Sequence, residues 1–395
     1  MIKAANALAD ARYCVTVIAS EFSAAWKVAG EQILKHAKWK YQGIDWSSRA
    51  DGRLRKRPRI RRKACQTFVD WAPPQAIPLA TLAKATNYVA PEMMNIAKFE
   101  PADLYYGGTA CGLATCAMIA RTLRRPYALD LEDFHTGEMA DTRVGRASNR
   151  LMRLVQDRTL GGASFLTAGS SPIAQAYYDD YALQPIPINN VFPLPPVPPD
   201  FSPRANGALS LVWFSQPIGP GRGLECAIEA CKLAQVRVHL RLLGASTPFV
   251  AQLYDETRGS QVRVEVLPPC PPEDIAEFCR MADVGLALET GQPLNRDLCL
   301  TNKILTYPLA GLAILATSTT AQRELAADFG EGMALYSPGD AHAFARVLRR
   351  WAADTESLIR ARQASWHAAR QRWHWDHPME KGQLLEAVAK VIGDP

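Results

Sequence analysis

At 395 residues, with 48% hydrophobic and 21% charged, the chain has a globular composition and more length than one core ordinarily organises, so two domains are expected. No apolar run is long enough to span a bilayer, and an alanine-rich amphipathic pattern follows Met1 directly, which reads as a cytoplasmic protein without a secretory signal. Nine cysteines are scattered without a CxxC pair, which argues for reduced thiols and against a zinc site, and the formal charge of +6 is modest.

That charge is unevenly placed. Residues 53–63, RLRKRPRIRRK, carry eight basic side chains in eleven positions, Arg55, Lys56, Arg57, Arg59, Arg61 and Arg62 among them. Such a run attracts phosphates, on anionic lipid headgroups or on nucleic acid, and it reads equally well as a solvated helix face. No aromatic residues interleave it, so nucleic acid is the weaker functional option.

In chain order, the first half alternates buried strands with helical patterns. Strands are predicted at 13–19 (YCVTVIA), 102–106 (ADLYY), 126–130 (PYALD) and 164–168 (SFLTA). A long apolar helix is predicted over 107–122, and Ser170 or Ser171 caps the helix after the fourth strand. Alternation of this kind implies parallel pairing, a doubly wound sheet and ligands at the carboxyl ends of the strands. Such a domain usually opens on a strand, whereas this chain opens within a helical pattern, so the first domain is expected to lack its opening strand.

Residues 185–203 are too rich in proline for helix or central strand and mark a linker, 188–206, between domains 1–187 and 207–372. The second half restarts the alternation, with strands predicted at 209–214, 237–243, 262–267, 284–288, 313–317 and 332–336. Helical patterns lie between these strands, and others at 355–372 and 378–392 close the chain.

Three segments could carry chemistry. After the first strand of the second domain comes SQPIGPGRGLE (215–225), where Gln216 and the glycines 219, 221 and 223 form a turn and Arg222 adds a planar charge. A strand, a glycine-rich turn and a helix cradle phosphate well, although neither GxGxxG nor a P-loop is present. In LTNKILTYPLAGLAILAT (300–317), Asn302 and Lys303 stand at a helix mouth that favours an anion. Arg222 and Lys303 then share one rim of the sheet, where two cations suit a diphosphate without a metal. Glu289, at the end of the 284–288 strand, reaches the same rim, and a carboxylate beside a diphosphate is more naturally an acceptor for sugar hydroxyls. On the first domain's rim, DLEDFHTGE (130–138) offers Glu132, Asp133 and His135 for acid–base work. No second cluster has the spacing to complete a metal site there.

Together these segments resemble the family 4 (group 1) bacterial glycosyltransferases of the GT-B fold, over nearly the whole chain and most strongly from 210 to 336. NKILTYPLAGLAILAT resembles the family's donor-holding Asn-Lys…Glu-Tyr…Gly…Pro-Val segment, and SQPIGPGRGLE its phosphate turn, with Arg222 in the lysine's place. PYALDLEDFHTGE resembles the strand and loop carrying Asp-x-His-Glu. The closing RWHWDHP resembles the point where a last helix, 373–395, crosses back to the first domain. Departures accompany the likeness. Gln216 stands where the family has arginine, Thr306 where a glutamate often grips the ribose, and Glu132 where the histidine would fall.

The resemblance implies an α/β protein with two Rossmann-like domains facing a cleft, and a retaining, metal-independent transferase with no cofactor. It would move a sugar from a nucleotide-diphosphate donor to a glycan or lipid-linked acceptor in bacterial surface polysaccharide synthesis. On that match Gln216, Gly219, Gly221, Arg222, Gly223, Glu289, Asn302, Lys303, Thr306 and Tyr307 hold the donor. Glu132, Asp133 and His135 serve the transferred sugar, and the basic run meets the acceptor or the inner face of the cell membrane. Two alternatives stay open: a non-catalytic member that binds a nucleotide or a partner enzyme, and a nucleotide-sugar epimerase.

Overall fold

A computed structural model of the chain describes residues 1–22, 30, 33–46, 52–203 and 207–395, with side chains of the helix that begins at Gly52 described from Lys56 onward. The chain divides into two compact units, Met1–Ile188 with Lys381–Pro395, and Asn189–Glu380.

The first unit begins with α1 (Ile2–Asp10) and the parallel pair β1 (Thr16–Glu21) and β2 (Lys40–Asp45). There follow α2 (Gly52–Trp71), α3 (Leu79–Thr86) and α4 (Ala90–Phe99). A four-stranded parallel sheet then runs in the order β3 (Tyr105–Gly108), β4 (Tyr127–Leu131), β5 (Leu166–Ala168) and β6 (Ile186–Pro187). Between these strands lie α5 (Thr109–Leu123), α6 (Arg143–Thr159) and α7 (Ser171–Tyr181). The apolar run in α5 is core: Leu113, Ala114, Ala117 and Ala120 have no exposed surface. Ser170 caps α7 by accepting from the Ile173 amide at 3.2 Å, as expected of a serine at that position. Expectation and structure part at β1, which starts at Thr16 rather than Tyr13, and at β2, whose sequence KYQGID carries two charges and a glycine and gives no strand signal.

The second unit is a single six-stranded parallel sheet. It contains β7 (Leu209–Pro217), β8 (Val238–Ala245), β9 (Val262–Leu267), β10 (Val284–Ala287), β11 (Ala313–Thr317) and β12 (Met333–Tyr336), in the order β12-β11-β10-β7-β8-β9. Strand order reverses between β7 and β10, the switch point of a doubly wound sheet, and there the loops leaving two adjacent strands diverge to form a crevice. Because both faces of β10, β11 and the first six residues of β7 are covered, these stretches are buried throughout and mostly apolar rather than alternating. The helices are α8 (Leu224–Ala234), α9 (Phe249–Thr257), α10 (Ile275–Cys279), α11 (Asn295–Leu298), α12 (Asn302–Thr306), α13 (Thr320–Phe329), α14 (Ala341–Ala353) and α15 (Thr355–Gln371). The last helix, α16 (Gln383–Ile392), belongs to the first unit.

The proline-rich segment belongs to the first unit up to Ile188, where it supplies β6, and to the second from Asn189 to residue 203, while 204–206 of the expected linker lie outside the described residues. Buried Arg362 donates to the Gly311 carbonyl at 3.0 Å and the Asp200 carbonyl at 2.6 Å. Where the chain passes between units, fully buried Glu380 accepts from the Asn189 amide at 2.5 Å, its side chain at 2.9 Å and Arg372 at 2.7 Å.

Candidate functional site

The geometry of the second unit's rim starts from one glycine. Gly223 sits at φ +83°, a left-handed conformation that side chains resist, and a Cβ there would lie 2.6 Å from the Leu288 carbonyl oxygen. Close approach of these backbones joins the turn after β7 to the end of β10. Arg222, one residue before Gly223, and Glu289, one residue after Leu288, therefore flank the same backbone contact. The adjacency follows from the sheet, since β10 pairs with β7 through Val284–Leu211 and Gly285–Val212.

At that junction Lys303 Nζ lies 3.1 Å from Glu289 Oε1, with only 12% and 9% of the two side chains exposed. Burial pushes the Glu289 carboxyl up, but the Lys303 ammonium, with Arg296 behind it, outweighs this and holds it below the usual carboxylate range. Lys303 also stands 5.8 Å from the centre of the buried Trp213 ring, an additional cation–π contact. The Glu289 carbonyl accepts from Thr317 at 2.7 Å, which ties the acid to the end of β11. Arg222 is anchored differently: it donates to the Ser215 hydroxyl at 2.9 Å, a neutral partner that leaves its charge intact.

Other residues expected on this rim have different surroundings. Gln216 is exposed, and Gly219 is buried inside the turn. The Gly221 amide, which a phosphate would need, donates to Glu225 at 2.7 Å. Asn302 is exposed and accepts from Asn190 at 2.8 Å. Its helix α12 has five residues, so the dipole at this mouth is small and the local charge rests on Lys303. Thr306 is buried and donates to the Asn302 carbonyl at 2.7 Å, leaving no group at the position where an acid would hold a ribose. Tyr307 does not line the rim. It has no exposed surface, donates to the Leu286 carbonyl at 2.9 Å, and fills the space that Gly285 leaves open under the sheet. Arg296 escaped the sequence reading: it sits in the single turn α11, within no motif, yet it acts on Glu289.

On the first unit's rim, the Tyr106 and Thr167 hydroxyls are 2.7 Å apart and Thr167 donates to Asp130 at 2.8 Å, so β3, β4 and β5 are cross-linked at their carboxyl ends. Beyond β4, Glu132 is exposed and Asp133 half-buried. Protein crowded around Glu132 pushes its carboxyl above the usual carboxylate range, and Asp130 and Asp133 reinforce this against the Met1 amino group and His135. His135 is placed otherwise than an acid–base group in contact with substrate would be. It is 2% exposed, its Nδ1 pairs with Glu138, and its Nε2 is buried without a partner among the described residues. Of the three residues expected to do acid–base work, Glu132 and Asp133 face outward and His135 does not.

The basic run is helical, and the structure sorts its members. Lys56, Arg57 and Arg59 are exposed, and the side chain of Arg55 lies outside the described residues. Arg61 forms two bonds to Glu92, at 2.9 and 2.7 Å. Arg62 donates to the Ala85 carbonyl at 3.1 Å and the Tyr88 hydroxyl at 2.6 Å. Arg61 and Arg62 therefore hold α2 to its neighbours and are not surface contacts. Among the described residues, no helix is long and apolar enough to cross a membrane, and no group of three or more His, Cys, Asp and Glu could hold a metal ion.

Comparison with solved structures finds the same fold in GT-B glycosyltransferases. HepE of Anabaena, solved with UDP, matches with a TM-score of 0.66 at 17% identity over 100% of this chain and 96% of that one. HepE with UDP-glucose matches at 0.65 and 18% identity, covering 95% and 99%. Sucrose-phosphate synthase of Thermosynechococcus elongatus matches at 0.69 and 14% identity, covering 98% and 92%. No protein-family model matches the chain, and a search of curated proteins finds no match. At these identities the likeness establishes the GT-B fold.

Proposed function

We propose that this protein is a glycosyltransferase that moves a sugar from a nucleotide-diphosphate donor, with a uridine diphosphate sugar the first candidate, to a glycan or lipid-linked acceptor. The reading rests on one observation above others: the Gly223–Leu288 contact joins the turn that carries Arg222 to the strand end that carries the Glu289–Lys303 pair, at the switch point of the sheet. Arg222, held only by a hydroxyl in its contact with Ser215, offers its charge to the diphosphate and stabilises it as a leaving group. Lys303 keeps Glu289 ionised in a buried place, and the ionised carboxylate accepts from donor sugar hydroxyls. HepE, solved with UDP and with UDP-glucose on the same fold, supports a nucleotide sugar as the ligand.

The finer reading is a retaining, metal-independent and cofactor-free transfer at the cytoplasmic face of a bacterial membrane, in surface polysaccharide synthesis. Glu132 and Asp133 position the acceptor or the transferred sugar, and the exposed cations of α2 make peripheral contact with anionic lipid. The decisive experiment is nucleotide release across a panel of donors and acceptors, with Arg222→Ala beside the parent. A variant that turns over at the parent's rate removes Arg222 from the site.

One observation favours a second reading, a protein of this fold that binds a nucleotide without turnover. Thr306, buried and bonded within its own turn, leaves the ribose without an acidic partner. Calorimetric nucleotide binding with no turnover on any acceptor would establish it in place of the enzyme.

A further inference from the structure

We propose that α2 beds in the plane of an anionic bilayer through an apolar stripe of Ile60, Ala64, Phe68 and Trp71, flanked by cations. Such bedding presupposes the electrostatic docking proposed above and adds a hydrocarbon contact to it.

At 3.6 residues per turn these four positions fall on one side of the helix, within roughly 80° of arc. All four are exposed, Ile60 at 69%, Phe68 at 46% and Trp71 at 86% among them. Singly exposed apolar residues are ordinary, but an aligned set of this size marks a contact surface. The opposite side is fixed in place. Pro58 and Val69 are buried, Arg61 and Arg62 are bonded to Glu92, Ala85 and Tyr88, and Gln66 donates to the Ala85 carbonyl at 3.1 Å. The helix therefore cannot roll to hide the stripe.

Charge identifies the occupant. Lys56, Arg59 and Lys63 line one edge of the stripe, and Arg57 lies within its arc about one turn before Ile60, all exposed. The acid on this side, Asp70, lies at the far end of the helix, 4.0 Å from Arg150. Cations bordering a stripe of aliphatic and aromatic groups match the boundary of a bilayer, where headgroup phosphates lie above acyl chains. A nucleic acid would satisfy the cations and leave Ile60 in water. The helix runs about 30 Å, long enough to lie along the surface and too polar to cross it.

The test is flotation of the full chain with vesicles of phosphatidylcholine alone or mixed with phosphatidylglycerol, at low and at half-molar salt. The parent should bind the anionic vesicles and keep part of that binding at high salt. Replacing Ile60, Phe68 and Trp71 together by serine should remove the salt-resistant part, a loss of roughly ten-fold or more, and leave low-salt binding in place. Replacing Lys56, Arg59 and Lys63 by glutamine should weaken low-salt binding by about five-fold per charge. An unchanged thermal midpoint in each variant shows that the fold is intact. If the serine variant kept its salt-resistant binding, the stripe would not insert, although electrostatic docking would stand. A parent that floats with neither vesicle overturns both. A parent that instead binds single-stranded RNA, or a stripe variant that turns a dimer into a monomer, assigns the face to another occupant.

Discussion

Lys303 and Glu289 form a buried ion pair, 3.1 Å apart, where the chain leaves β10. A buried pair is costly to break because the remaining charge has no water to return to. Lys303→Met should therefore destabilise the second unit by about 3–5 kcal/mol, and adding Glu289→Gln should recover most of the loss. Chemical denaturation of both variants measures this. The sign with pH follows from the depressed carboxyl of Glu289. Its contribution is fully present above the unfolded value of 4.5 and is lost as pH falls below that value through the folded one. Thermal midpoints should fall less steeply on acidification in Glu289→Gln than in the parent.

Gly223 joins the turn after β7 to the end of β10, and it disfavours any side chain for two reasons, its φ of +83° and the Leu288 carbonyl 2.6 Å from a Cβ. Gly223→Ala should cost about 1–3 kcal/mol from backbone strain. Moving the turn away from β10 would also carry Arg222 away from the end of that strand. The measurable outcome is a loss of nucleotide affinity larger than that of the neighbouring exposed variant Gln216→Ala, read by calorimetry.

Tyr307 separates what the resemblance implied from what the chain built. Its hydroxyl donates to the Leu286 carbonyl inside the sheet, so Tyr307→Phe should lower stability by about 1–2 kcal/mol. Nucleotide affinity should stay at the parent's value. A ten-fold weakening without loss of stability would return Tyr307 to the donor wall.

The contrast among these residues shows what was legible in sequence. Strands β10 and β11 were readable because a sheet covered on both faces demands unbroken apolar runs, and β8 and β9 because VHLRLL and VRVEVL alternate apolar with polar residues. The turn at 218–223 was readable because glycine has few other reasons to cluster there. Partnership was not. The pairing of Glu289 with Lys303 joins the end of β10 to α12, with loops and the short helix α11 between them, and no local pattern announces it. Burial of His135 was hidden likewise, because a histidine in an acidic loop reads as chemistry until Phe134 and Tyr177 are seen packed beside it. Arg296 was invisible for the opposite reason: its four-residue helix has no period to detect.

Glu132 supplies the test of the first unit's rim. Its carboxyl is raised above the usual range by the protein around it and by Asp130, so the fold disfavours its charged form. For an acid shifted this way, the native state is favoured at low pH and loses stability as pH rises through the folded value. Glu132→Gln removes that penalty, so the variant should melt at a higher temperature than the parent at neutral pH and at nearly the same temperature in acid. If Glu132 positions the acceptor or the transferred sugar, the same change should cut turnover by roughly ten- to a hundred-fold while nucleotide affinity is unchanged, because the proposed diphosphate site lies on the other unit. A gain in stability joined to a loss of turnover is the pattern of a charge kept for function. Melting curves across pH and a steady-state rate on the same preparation decide it, and a variant that is stabilised yet fully active would reduce Glu132 to a surface acid.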